Sequence, residues 1–274
     1  MINVSRYYLF LPVLLIFIFQ QPFQLQAQME RKRTVKERPV PDIFWAGNVI
    51  TQSSVTNVGK NIMNVTIMHS FGETNRGIDD LFGLDEQVNV RIGIDYGITD
   101  RLSAGFGRSS DEKVYDLRFK YNALRQMTDD SIPLDIAVKG SIGKTTAENQ
   151  LNFTQDLNYL ASVMFARKFS ESLSLQVTPM FSHFNTLFRP RVGDELKDGE
   201  NNHFGIGLGG QYRFNKRFAL NIEYLPVIGD RTFNTNNAFS IGVDIETGGH
   251  VFQLFLASTK WHLEQYSLAR NSNE

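Results

Sequence analysis

The chain has 274 residues, no cysteine, and 28 Lys+Arg against 29 Asp+Glu, a formal charge of −1. This near-neutral balance argues against nucleic acid as a partner, because no net positive field draws a phosphate backbone. The missing thiols exclude disulfides, thiolate metal ligands and cysteine nucleophiles, and the lack of a composition break after residue 58 favours one large domain.

In chain order, the first element reads as a secretion signal. Arg6 precedes an apolar run from Tyr7 to Phe19, and Leu25, Gln26 and Ala27 place a signal-peptidase cut before Gln28. The run falls short of the about 20 apolar residues that a spanning helix needs, so residues 1–27 are expected to be a cleaved signal peptide rather than an anchor. Residues 28–42 are polar, net basic and carry Pro39 and Pro41, which suits a disordered periplasmic tail. The β-barrel domain is expected over 43–262, followed by a polar C-terminal tail over 263–274.

Beyond the tail the hydrophobic period is two. In 87–99, Val88, Val90, Ile92, Ile94 and Tyr96 alternate with Asn89, Arg91, Gly93, Asp95 and Gly97. In 113–123, Tyr115, Leu117, Phe119 and Tyr121 alternate with Asp116, Arg118, Lys120 and Asn122, and similar patterns run through 132–142, 203–214 and 237–246. Further strands are expected at 60–71, 101–110, 152–169, 173–187, 218–228 and 250–260, eleven in all with no convincing helix. Connectors alternate in length: short near Thr99 and Asp100, at 169–172, 215–217 and 247–249, with the somewhat longer 127–131 taking the same parity, and longer and polar at 72–86, 146–151, 188–202 and 229–236. The 109–112 link is an exception among the long set. Transmembrane barrels join strands in this manner, short on the periplasmic side and long outside. Aromatic residues such as Phe169, Tyr212, Phe214 and Phe218 gather at strand ends, where an interfacial girdle belongs.

A soluble barrel alternates too, with its apolar face inward. Strand length, aromatic ends, the signal and the loop parity favour the membrane solution: an all-β, antiparallel up-and-down transmembrane β-barrel of about 12 strands. After Lys260 the alternation stops, leaving the twelfth strand missing. Residues 44–56 are expected either to supply closure or to lie within the lumen.

Several short motifs together resemble an uncharacterised family of β-barrel proteins from Bacteroidota-type bacteria. They are Gln52-Ser53, His69-Ser70-Phe71-Gly72, Leu81-Phe82-Gly83-Leu84-Asp85, Arg91-Ile92-Gly93, Asp95-Tyr96-Gly97-Ile98-Thr99, Gly107-Arg108-Ser109-Ser110, Lys120-Tyr121 and Gly249-His250-Val251-Phe252-Gln253-Leu254. The resemblance covers most of the mature chain and implies a barrel in the outer membrane, with no settled activity. It also implies a final strand ending in an aromatic residue, from which this chain departs after Ser258.

Motifs that suggest chemistry weigh less. Gly140 to Thr145 resembles a phosphate-binding loop but has Val138 where a glycine is required, and Gly205, Gly207 and Gly210 fit a dinucleotide fingerprint inside a strand with no helix behind it. Glycines on the lumen face are read as admitting bulky neighbours or tightening the curvature of the barrel. The five histidines, His69, His183, His203, His250 and His262, lack metal-site spacing, and His69 and Ser70, adjacent on a strand, point to opposite faces. No cofactor, metal or catalytic residue is assigned. The loop carboxylates Asp79, Asp80, Asp85 and Glu86 are oxygen ligands of the kind calcium accepts, but their spacing fits no EF-hand. That loop is expected to fold over the barrel mouth with Leu81, Phe82 and Leu84 packed inward.

The lumen-lining set is Arg91, Asp95, Asp116, Arg118, Lys120, Asp135, Lys139, Glu223 and Asp244. In a narrow barrel these charges must pair, whereas in a wide one they line a wet passage. The leading expectation is a narrow channel for small polar solutes. A plugged barrel acting structurally or binding ligands through its outer loops comes second, and a membrane-embedded hydrolase third. Outer-membrane lipid and the barrel assembly machinery are the expected partners.

Overall fold

The computed structural model describes residues 37–272, apart from 87 and 193. The expected signal over 1–27 and the first part of the tail, 28–36, lie outside the described residues. Eleven long strands form an antiparallel meander: β1 (Met63–Ser70), β2 (Asn89–Gly97), β3 (Leu102–Ser109), β4 (Tyr115–Leu124), β5 (Asp135–Lys144), β6 (Leu157–Lys168), β7 (Leu173–Phe184), β10 (Asn202–Arg213), β11 (Phe218–Leu225), β13 (Ala238–Glu246) and β14 (Val251–Ala257). Each overlaps one of the segments read from the period-two pattern. The short β12 (Val227–Ile228) pairs with β10 and brings the sheet to 12 strands, while β8 (Arg191–Val192) and β9 (Glu195–Leu196) make a small hairpin in a loop.

Two ends follow from the meander. One carries the shorter connectors 98–101, 125–134, 169–172, 214–217 and 247–250, and is called the turn end; the other carries 71–88, 110–114, 145–156, 185–201 and 226–237, and is called the loop end. Turn chemistry shapes the former. At 129–131, for example, Asp129 Oδ1 accepts from Ser131 Oγ (2.8 Å) and Ser131 N (3.2 Å), bonds that hold its carboxyl below the usual range.

The two faces separate as the alternation demands. Ile92, Ile94, Leu117, Phe119, Ile142, Val177, Ile222 and Val243 all face outward and are exposed, whereas their neighbours Arg91, Asp116, Ser141, Gln176, Asn221, Glu223 and Asp244 are buried. An apolar belt this extensive far exceeds the few hundred Å² that a soluble monomer tolerates. Exposed aromatics ring both ends: Tyr96, Tyr121, Phe169, Tyr212, Phe214 and Phe218 at the turn end, Phe71, Tyr115, Phe204, Tyr224 and Phe239 at the loop end.

Two segments that the strand pattern leaves unassigned fill the interior. Residues 44–58 enter from the turn end as an irregular hairpin, closed by Val49 N donating to Gln52 O (2.8 Å) and Ser54 N to Gly47 O (2.9 Å). Of the two expectations for 44–56, the lumen is the one realised. Its Phe44, Val49 and Val55 pack on Ala137, Met164 and Ala166, inward residues of β5 and β6. From the loop end, residues 259–272 turn inside β14 and include α1 (Glu264–Ala269), the one α-helix among the described residues, every residue of which is buried. Trp261, Leu263, Tyr266 and Ala269 join Val114 and Phe184 in one cluster, and Leu268 joins Leu160, Met180 and Leu225 in another.

This corrects the expectation of a polar tail over 263–274: residues 263–271 are interior, all buried but the half-buried Arg270, so the domain runs past 262. Their polarity is no bar to burial because partners satisfy it, as Tyr266 shows by sharing its hydroxyl with Thr145 Oγ1 (2.8 Å) and Asn158 Nδ2 (3.1 Å). Residues 37–42 are likewise not free chain. Val40 N donates to Gln126 O (2.7 Å) and Pro39 bridges to Met127, docking them on the β4–β5 connector.

Candidate functional site

All nine expected lumen residues lie on the inward face, and the structure divides them by task. On β2 and β4, four of them form a charge ladder. Asp95 takes a bidentate pair from Arg118 (Nε 2.8 Å, Nη2 2.7 Å), Arg118 Nη1 reaches Asp116 Oδ2 (2.9 Å), and Arg91 grips Asp116 with both Nη atoms (2.5 and 2.9 Å). Gly93, Gly105 and Gly107 make room for it, since a β-carbon on any of them would crowd a guanidinium. Fork-to-carboxylate pairing of this kind satisfies buried charges internally.

Glu223 on β11 has a different role. Its carboxylate accepts Ile50 N (2.6 Å), Thr51 N (2.9 Å), Gln52 N (2.9 Å) and Thr51 Oγ1 (2.9 Å), so one buried side chain holds the tip of the N-terminal hairpin. Three successive amides converging on an anion form a nest-like cradle. The opposite wall holds the returning strand of the hairpin: Lys120 Nζ donates to Ser54 O (3.1 Å) and Thr56 O (2.5 Å), and Asn122 Nδ2 to Val55 O (2.9 Å). Gln176 closes the ring, accepting Val55 N (2.9 Å) and donating to Ser53 O (2.8 Å). Asp244 acts at one remove. It accepts from Asn221 (2.5 Å), Gln211 (3.0 Å) and Gln253 (2.8 Å), and Gln253 also donates to Val49 O (2.8 Å). Asp135 stays near the turn end, accepting Gln126 N (3.1 Å).

The two interior segments meet at Lys139 on β5. Its ammonium pairs with Glu264 of α1 and donates to Ser53 Oγ (2.6 Å), while Ser53 N donates to Glu264 Oε1 (2.7 Å). A hairpin from one end and a helix from the other are thereby stitched to each other and to the wall. Above the junction, Arg270 lies over the rings of Phe184 (5.1 Å), Phe188 (4.7 Å) and Tyr266 (5.3 Å) and pairs with Glu112 (3.2 Å).

What remains between ladder and plug is a cavity of about 40 Å³, bordered by Arg91, Asp116, Arg118, Ser141, His262 and Glu264. That volume holds a few water molecules. Ser141 Oγ and His262 Nδ1 have no hydrogen-bond partner among the described residues, which suits hydration there.

Sequence reasoning missed the plug-holding residues Gln176, Asn122, Gln253 and Glu264, and a signal for them was available. Gly205, Gly207 and Gly209 alternate on the inward face of β10, where a β-carbon would collide with Leu268 and Gln52 or press on Val49 at 3.1 Å. These glycines mark where the plug touches the wall, and no helix follows them as a dinucleotide site requires. Gly140 and Gly143 similarly lie within β5.

The acidic loop is corrected in one respect. Leu81, Phe82 and Leu84 are exposed rather than packed inward, because residues 259–263 already occupy the mouth. The loop instead folds on itself, with Gly72 N donating to Gly83 O (2.9 Å), Phe82 N to Gly77 O (2.7 Å) and Glu73 N to Glu86 Oε2 (3.2 Å). Asp79 and Asp85 are exposed, Asp80 and Glu86 half-buried, and no group of three acidic or histidine side chains among the described residues is placed to hold a metal ion. Among the histidines, His262 Nε2 meets Ser70 Oγ at 2.6 Å. Ser70 thus finds a histidine far away in sequence and not its neighbour His69, which lies on the outward face against Phe71.

Residues 44–274 match a family model described as Membrane bound beta barrel domain (DUF5777). The chain belongs to this family. No curated protein matches it. Membership makes the belt of Ile92, Phe119 and Val177 a lipid-facing surface and the ladder a lumenal one. The match also runs past Ser258 to residue 274, so the departure expected after Ser258 is no departure from the family.

Proposed function

We propose that this barrel resides in the outer membrane, reached after removal of residues 1–27, and that it is sealed by its own chain. It works as a structural or ligand-binding protein through its extracellular loops, with outer-membrane lipid around it and the barrel assembly machinery as its route of insertion. The observation that carries this reading is the junction of Lys139, Glu264 and Ser53, where both interior segments lock together across the lumen. Most of the residues that would line a passage for polar solutes are engaged with each other or with the plug, Asp244 through Gln253 and Asp135 alone staying at the turn end, which favours the sealed barrel over the narrow channel.

Conductance in planar bilayers tests it. Folded full-length protein should pass no steady current, and deletion of 44–58 should open one; steady current from the intact chain overturns the sealed reading. The hydrolase reading would rest on Ser70 and His262, but a triad needs an acceptor on the far imidazole nitrogen, and His262 Nδ1 has none among the described residues. A fluorophosphonate probe should therefore leave Ser70 unlabelled, and an adduct there would revive the enzyme.

A further inference from the structure

Five large apolar side chains crowd the connector between β1 and β2 without being covered by it. Phe71, Ile78, Leu81, Phe82 and Leu84 are all exposed, Ile78 by 66% and Phe82 and Leu84 by 54% and 55%. The mouth of the barrel cannot shelter them, since Thr259, Trp261, His262 and Leu263 already fill it, and the connector turns back on itself instead. Gly72 N donates to Gly83 O (2.9 Å), and Gly83 fits so closely that a β-carbon on it would lie 2.5 Å from the carbonyl carbon of Gly72. Gly83 is thereby pinned one residue beyond Phe71. Its chain neighbours Phe82 and Leu84, with Cα atoms about 3.8 Å from its own, are held near the rim rather than far out in solvent.

Phe71 belongs to the loop-end ring of aromatics and ends the outward face of β1, which runs through Val65, Ile67 and His69. The bare side chains of the connector therefore continue a surface that already meets lipid. Backbone conformation adds a second observation. Leu81 and Phe82 sit at φ 46° and 56°, in the left-handed region that bulky residues keep only where their surroundings compensate the strain. Neither side chain is buried by the rest of the chain, so that compensation comes from outside it. Water offers none to an apolar group, the lumen is filled, and the bilayer begins at Phe71.

We propose that the connector 71–86 is an interfacial anchor for lipid. Phe82 and Leu84, flanked by Ile78 and Leu81, insert between headgroups and acyl chains beside the β1–β2 rim, while the exposed Asp79 and Asp85 stay in the headgroup layer. Amphipathic segments sink about 5–10 Å into this boundary and leave their charged groups outside it. The ligand is the glycerol region and first methylenes of a phospholipid or related lipid. The anchor needs only the bilayer that family membership supplies, whatever the state of the lumen.

Because the chain has no cysteine, single nitroxide labels can test this in the full-length protein. Ile78→Cys, Phe82→Cys and Leu84→Cys are made one at a time, with Ile142→Cys on the outward belt as the lipid reference and Glu148→Cys on the exposed 145–156 connector as the aqueous one. Each is folded into phosphatidylcholine vesicles, and heat-modifiable migration verifies the barrel. Collision rates with oxygen, which partitions into lipid, and with a nickel chelate, which stays in water, report the depth of each label. The oxygen-to-nickel ratio at 82 and 84 should lie nearer that of 142 than that of 148, and Phe82→Ser with Leu84→Ser should drop the ratio at 78 to the aqueous value. A ratio at 82 and 84 equal to that at 148, or no change at 78 in the double variant, would overturn the anchor. So would low collision with both reagents, the mark of a label packed against the barrel, or dipolar broadening between labels, the mark of a second copy on this surface.

Discussion

Glu223 concentrates more of the molecule's organisation than any other side chain in the lumen. A carboxylate that accepts three consecutive backbone amides replaces the water those amides lose, and no neighbour is placed to take over if it is removed. Glu223→Ala should cost about 3 kcal/mol, since buried donors left without acceptors each carry a penalty of about 1–3 kcal/mol. Glu223→Gln retains one acceptor oxygen and should lose about half as much. Urea titration of the folded protein in lipid vesicles measures both, and equal losses would show that charge rather than acceptor geometry holds the hairpin.

Elements here are held to one another by polar stitching more than by apolar mass. Lys139 ties β5, the hairpin and α1 at one point, so its loss leaves the Glu264 carboxylate buried with Ser53 as its remaining hydrogen-bond partner. Lys139→Met alone should destabilise by about 3–5 kcal/mol, while Lys139→Met with Glu264→Leu should cost clearly less, because an apolar pair replaces a buried ion pair at little net loss. A double-mutant cycle followed by urea unfolding measures the coupling, and additive losses would place the two groups out of contact. The glycine face of β10 makes a related point about fit. Gly207→Val should displace Gln52 and loosen the hairpin, visible as brief current bursts in planar bilayers from a protein whose parent is silent. The alternating glycines were legible in the sequence, yet they could be read equally as room for an unspecified neighbour or as an aid to curvature; what occupied the room lay more than 150 residues away at Gln52 and some 60 away at Leu268.

For the whole molecule, the decisive property is the outward belt. A lysine at Val177 must sit in hydrocarbon and should cost about 2–4 kcal/mol, as charged side chains on the lipid face of barrels do near the midplane. Val177→Leu should change stability by less than about 0.5 kcal/mol, in the range of substitutions away from special features. Refolding yields into vesicles and unfolding midpoints check the contrast, and a tolerated lysine would mean that this surface does not meet lipid. The same scale explains why the charge ladder is tolerated: Asp95, Arg118, Asp116 and Arg91 are shielded from the bilayer by the two strands that bear them and neutralise one another.

The order of the eleven strands, their register of faces and the parity of their connectors were all present in the residues, because a strand's side chains alternate whatever it packs against and a lipid-facing sheet exaggerates the contrast. The fate of the two unpatterned segments was not. Residues 44–58 and 259–272 have neither a period of two nor an amphipathic helix to announce burial, and their polar groups look solvated until Glu223, Lys139, Gln176 and Asn158 are brought to them from distant strands. Whether the nine lumenal charges faced water or one another was equally a question of what else entered the cylinder, and pairing across long sequence separations is what a tertiary fold alone can supply.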